Sequence, residues 1–260
     1  MKLLPHAKKL IRAGGLCCLL PWGSLATPPA GYYQVWSDEF SGSSLDSSKW
    51  GYWSGGYHDA VNTSSAISVS GGHLAITTYT VSGTHYTAIL ESRNKFHPRY
   101  GFLEASIDYN DSAGMWSAFW LQADHEDDCP YQTRFLGNPF YAGSEIDVCE
   151  HRSQDSSGNN ISGGVNTYIH YDGYSGYCAG YGTTVGPSPN PYGSGLNSGF
   201  HTYGLLWNSG GCQFYIDNGF QYSTSSGNSG TPEWILLSSI VDGASWAGAT
   251  PSGEIGRAHV

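Results

Sequence analysis

The chain has 260 residues, of which 12% are charged while 36 are glycine and 19 are tyrosine. That is a composition of short strands and many turns, not of long helices. Its formal net charge of −10 argues against nucleic acid and anionic membrane as partners, since both are bound mainly through clustered lysine and arginine.

The first 26 residues read as a secretory signal: Lys2, Lys8, Lys9 and Arg12 open it, residues 13–20 are apolar, and Ser24-Leu25-Ala26 offers a small-x-small cleavage site. Nothing in the chain approaches the roughly 20 consecutive apolar residues of a membrane span. The expectation is an exported protein, extracellular or periplasmic, acting as a monomer. Residues 27–253 then form one all-β domain of a size that sandwiches commonly reach.

Strand signals become regular at Ile67 and Val69, then at Leu74, Ile76 and Thr78, with Ser70-Gly71-Gly72-His73 as the turn of a hairpin. Residues 88–96 and 100–109 read as two further strands around His97-Pro98-Arg99. From Met115 to Leu121, alternation puts Trp116, Ala118 and Trp120 on one face and Ser117 and Phe119 on the other. Asp124 to Asp128 is an acidic stretch read as a solvated turn; a structural calcium ion there has no support from the spacing known for calcium loops. Residues 130–142 are expected to form a loop over one end of a groove.

The chemistry concentrates in Gly143-Ser144-Glu145-Ile146-Asp147-Val148-Cys149-Glu150-His151, which holds three carboxylates in six residues. A regular strand would turn Glu150 away from Glu145 and Asp147. One extra residue restores it: a β-bulge at Val148-Cys149 aims all three at one face, and bulges recur beside active sites for that reason. Crowded carboxylates oppose each other's ionisation, so at least one should hold its proton near neutral pH. Glycosidase chemistry requires such a split between a nucleophile and an acid. Residues 165–171 read as the returning strand, from which His170 reaches the same face, and residues 172–196 as an irregular second loop.

The four cysteines of the mature chain, Cys129, Cys149, Cys178 and Cys212, allow three disulfide pairings, between which the sequence does not choose. No metal site is expected among them, since no C-x-x-C pair or compact His/Cys cluster occurs. Residues 254–260 read as an artefactual tail on a domain truncated near residue 253, leaving a strand edge open.

Several segments are similar, in order, to glycoside hydrolase family 16. They are Trp36-Ser37-Asp38-Glu39-Phe40, Leu90-Glu91-Ser92-Arg93-Asn94-Lys95-Phe96, Tyr100-Gly101-Phe102-Leu103-Glu104-Ala105, Gly114-Met115-Trp116-Ser117-Ala118-Phe119-Trp120-Leu121 and the acidic stretch itself. Phe200-His201-Thr202-Tyr203-Gly204-Leu205-Leu206-Trp207, Phe214-Tyr215-Ile216-Asp217 and Gly243-Ala244-Ser245-Trp246-Ala247-Gly248 continue the series. The resemblance implies a β-jelly-roll sandwich of two antiparallel, concanavalin-like sheets with a substrate cleft on the concave face. It implies Glu145 as nucleophile, Glu150 as general acid/base and Asp147 as the residue that tunes them, with Arg93, Trp116, Trp120 and His170 lining the sugar site. No cofactor or metal is required for that chemistry, and the partner is a polysaccharide. The scarcity of cations in the cleft loops points to a β-1,3- or mixed-linkage β-glucan ahead of neutral agarose, with carrageenan last. A non-catalytic carbohydrate-binding jelly roll is the alternative of another class, against which the crowded triad speaks.

Overall fold

The computed structural model describes residues 31–109, 112–125, 128–174, 180–243, 246–250 and 257–259. The signal expected over residues 1–26 and Cys178 therefore lie outside the described residues. In chain order the strands are Gly51–Tyr52 (β1), Gly55–Tyr57 (β2), Ala60–Asn62 (β3), Ile67–Ser70 (β4), His73–Thr77 (β5), Tyr79–Val81 (β6), Thr84–Glu91 (β7), Gly101–Ile107 (β8) and Met115–Ala123 (β9). Two short helices follow, Cys129–Arg134 (α1) and Pro139–Ala142 (α2). Then come Glu145–Arg152 (β10), Asn166–Tyr171 (β11), Thr183–Val185 (β12), His201–Asn208 (β13), Gly211–Ile216 (β14), Gly219–Thr224 (β15), Glu233–Val241 (β16) and Arg257–His259 (β17).

The large sheet runs β12-β11-β10-β9-β16-β7-β3-β2, with β1 and β6 also paired to β7. Opposite it lies a four-stranded sheet, β15-β14-β13-β8, and a three-stranded one, β17-β5-β4. The expected hairpin is β4-β5, turning through Gly71 and Gly72. Strict alternation along β13 sends Tyr203, Leu205 and Trp207 inward, where they meet Phe119 and Leu121 from β9, Ile146 from β10 and Phe214 from β14. Each large apolar side chain removed from water in this way is worth about 1.5–3 kcal/mol. Trp207 also donates from Nε1 to the Ser229 carbonyl at 3.1 Å, so its polar atom enters the core satisfied.

Residues 130–142, expected to be a loop, form α1 and α2 instead. Asp128 caps α1 by accepting from the Tyr131 amide at 3.2 Å, and proline sits in the first turn of each helix, where a missing N–H costs nothing. The fully buried Gln132 ties the pair together, donating to the carbonyls of His125 and Ala142 at 2.6 and 3.1 Å. Part of the acidic run is thus structural: Asp128 is a helix cap and Asp124 lies 3.6 Å from Arg93. Cys129, at the start of α1, is disulfide-bonded, whereas Cys149 and Cys212 are buried free thiols.

α2 ends at Gly143, whose φ of +88° suits glycine. A Cβ there would stand 2.2 Å from that of Ala123, so the chain enters β10 pressed against the end of β9. Of the tail set apart in the sequence, Arg257–His259 lie antiparallel to β5.

Candidate active site

The cleft face of the large sheet is a grid of paired residues. Across β16, β9, β10 and β11 one row reads Trp234, Gln122, Glu145 and His170; the next reads Leu236, Trp120, Asp147 and Tyr168; the third reads Ser238, Ala118, Glu150 and Asn166. The third carboxylate joins this face through a bulge. Asp147 faces Trp120 and Cys149 faces Phe119, which leaves Val148 as the extra residue on β10. Val148 and Cys149 both turn into the core, 2% and 0% exposed. The irregularity is anchored from behind, because Thr167 Oγ1 donates to the Val148 carbonyl at 3.0 Å and Tyr109 Oη meets Cys149 Sγ at 2.6 Å. A bulge carbonyl left unpaired in the core would be costly.

Each carboxylate has its own partner. Trp116 donates from Nε1 to Glu150 Oε1 at 2.7 Å. Tyr174, from the loop after β11, donates a short hydrogen bond to Glu145 Oε2. His170 places Nε2 3.4 Å from Asp147 Oδ2. Glu150 Oε2 and Asp147 Oδ2 are buried and take no hydrogen bond from the described residues.

Burial is the leading cause of every pKa shift in the group. It raises Glu150 well above the usual carboxylate range, helped by the charges of Asp147 and Glu145. It also raises Asp147. Glu145 is pushed up to about 8 by burial and by Asp147, against the pull of His170 and Tyr174 toward the ionised form. The patch therefore carries fewer than three negative charges; His170 and one hydrogen-bond donor each, Tyr174 for Glu145 and Trp116 for Glu150, pull both toward the ionised form, and Glu150 is the one held well above its ordinary range.

Trp116 and Trp120 share the cleft face, but in different settings. Trp120 is 6% exposed and donates to Ser238 Oγ at 3.1 Å, so it belongs to the floor. Trp116 is only partly buried and stands at the wall beside Trp246, ring centroids 6.2 Å apart. Arg93 lies over the Trp234 ring, 4.4 Å from its centroid, at the Glu145 end of the cleft.

Sequence reasoning missed three participants. Arg152 follows Glu150 by two residues and shares its face; it packs on Trp246 at 3.4 Å and donates to Asn166 Oδ1 at 2.9 Å. Strand alternation alone could have placed it there. Trp53, which donates to Glu91 Oε2 at 2.9 Å, and Tyr174 arrive from distant loops and left no local signal. Behind the cleft face, Glu233 on β16 precedes Trp234 and turns to the other side of the sheet; it is 0% exposed, and burial raises its pKa to about 8 despite the opposing pull of Ser229 and Ser144.

Glu233 predicts a pH dependence of stability. A folded-state value of about 8 against an ordinary 4.5 means that the native protein keeps a proton the unfolded chain gives up. Stability is then lost as pH rises from about 4.5 to 8, by about 1.4 kcal/mol per unit at most from this group. Glu233→Gln should flatten that fall, as read by urea unfolding at pH 5, 6.5 and 8; an unchanged slope would mean that Glu233 is ionised in the fold.

Comparison with known proteins places this geometry. Residues 32–236 match a family model described as "Beta-porphyranase A-D, GH16 domain". A keratan-sulfate endo-1,4-beta-galactosidase of Sphingobacterium multivorum is 25% identical over 86% of this chain and 52% of its own length. Glucan endo-1,3-beta-glucosidase A1 of Niallia circulans is 24% identical over 88% of this chain and 37% of its own. The chain thus spans about half or less of the length of these relatives. A glycoside hydrolase family 16 endo-glucanase from Bacteroides ovatus superposes with a TM-score of 0.67 at 22% identity, covering 85% of this chain and 95% of that one, which shows a shared jelly-roll fold. Among the described residues no helix is long and apolar enough to cross a membrane. With its bulged Glu145-Asp147-Glu150 strand inside the large sheet, between β11 and β9, the chain belongs to glycoside hydrolase family 16.

Proposed function

We propose that this protein is a secreted, monomeric endo-β-glycanase that cleaves with retention of anomeric configuration. The observation that carries the reading is the bulge, which gathers a buried proton holder, Glu150, and a carboxylate with anion-stabilising partners, Glu145, on one face. Glu150 gives its proton to the glycosidic oxygen as the C–O bond breaks, and Glu145 attacks the anomeric carbon to form a glycosyl ester. Glu150, now ionised, takes a proton from water, which attacks the same carbon and releases Glu145. Asp147 stands between them and sets how the remaining charge is shared. Trp116 stacks on a sugar ring beside the scissile bond while its Nε1 orients Glu150.

The substrate we infer is a neutral β-1,3- or mixed-linkage β-glucan. Of the two arginines on the cleft face, Arg152 is 4% exposed and engaged with Asn166 and Trp246, and the more exposed Arg93 is matched by Asp124. A sulfated chain would call for uncommitted cations. The β-porphyranase description of the matching family model favours a second reading, a β-galactan. Reducing-end release from laminarin, barley glucan, agarose, porphyran and carrageenan separates them. Laminarin or barley glucan should exceed every sulfated galactan, and the reverse ranking would transfer the assignment to galactans.

A further inference from the structure

We propose that Glu145, Asp147 and His170 form a zinc-binding site that overlaps the catalytic centre, so that zinc acts as a competitive inhibitor of this enzyme. The inhibitory part rests on the glycosidase reading above, whereas the binding part does not. One ligand atom from each of the three side chains lies within 4.8 Å of the others. A tetrahedral zinc with bonds of about 2.1 Å sets its ligand atoms about 3.4 Å apart. Asp147 Oδ2 and His170 Nε2 already stand at 3.4 Å. Bringing in a Glu145 oxygen takes at most about 1.4 Å of side-chain adjustment toward that tetrahedral edge.

Two further features fit a metal. Asp147 is 4% exposed, and its Oδ2 accepts no hydrogen bond from the described residues although it faces the histidine. The other ring nitrogen, His170 Nδ1, lies 2.9 Å from Thr184 Oγ1. In the tautomer that donates from Nδ1 to that hydroxyl, Nε2 presents its lone pair toward Asp147, the arrangement by which outer partners orient metal-bound histidines. Two carboxylates and one imidazole, with an open fourth position, suit zinc; calcium and magnesium, which take six or more oxygens, are poorly served. Zinc held there occupies the Glu145 oxygen needed for attack at the anomeric carbon.

The test uses the full chain carrying Glu150→Gln, which removes no ligand, and titrates it calorimetrically with zinc chloride. One equivalent should bind, and adding His170→Gln should weaken binding by about tenfold or more. Thr184→Val, which removes only the hydroxyl behind the ring, should weaken it several-fold, a readout that survives if the His170 variant fails to fold. In the wild type, zinc should raise the apparent KM for a cleaved glycan with kcat unchanged, chelator should reverse this, and calcium should have no effect. Saturable binding lost in the two variants supports the site even where no glycan in the panel is cut, so its failure and that of the glycosidase reading are separable. The proposal is overturned if zinc does not bind stoichiometrically, or if binding is unaltered in both variants, as it would be at a surface histidine.

Discussion

Glutamine in place of Glu145 is expected to lower kcat/KM for any cleaved glycan by about 10⁴-fold or more, the scale on which losing a nucleophile acts. The amide keeps the side chain's shape and its hydrogen bond from Tyr174, so KM should move little. The sharper test is chemical. In Glu145→Ala, azide can enter the vacated space and attack the anomeric carbon directly, giving a glycosyl azide of inverted configuration. Proton NMR of the product reads that configuration. If Glu145→Gln retained activity within tenfold of the wild type, the nucleophile would have to be sought elsewhere on the face, and the retaining mechanism would lose its foundation.

Glu150→Gln should cost about 10²–10⁴-fold on a polysaccharide, where the departing sugar oxygen needs a proton. On an aryl glycoside with a nitrophenolate leaving group the formation of the glycosyl ester should be nearly spared, because that oxygen leaves as a stable anion. The pH profile supplies an independent reading. Burial holds Glu150 protonated well above the usual range, and an acid works only while it carries its proton. Wild-type activity should therefore persist to neutral or mildly alkaline pH and fall as Glu150 ionises, whereas the variant should lack that alkaline limb. Azide added to Glu150→Ala should give a product of retained configuration, since it then attacks the ester on Glu145. A pair of variants with the opposite azide products would exchange the two roles.

What the sequence disclosed about this site follows from how far each signal travels along the chain. The bulge was legible because its evidence is local: two acids at strand spacing, a third out of phase, and apolar Val148 and Cys149 between them. The shared face of Trp116 and Trp120 was legible by the same period of two. The burial of Trp120 was not, because it depends on Leu236 and Trp53 arriving from opposite ends of the chain. Tyr174 sits in a stretch rich in glycine and tyrosine, where nothing local distinguishes one phenol from another. α1 and α2 were missed because helices this short are carried by a cap and by a buried glutamine, not by an apolar period.

The position of β9 has a consequence for how the protein comes into being. This strand carries the tryptophan that orients Glu150, yet it is flanked on one side by β10, a short distance onward, and on the other by β16, with Trp116 paired to Ile240. Closing so long a loop is entropically slow, and folding rates fall as such non-local pairings dominate. While the chain is being synthesised, β9 and β10 can meet early, but the other edge of β9 stays open until nearly the whole domain has emerged. Through that interval the edge is available to a strand of another chain. The cleft face is therefore assembled late, with the strand that also removes this hazard.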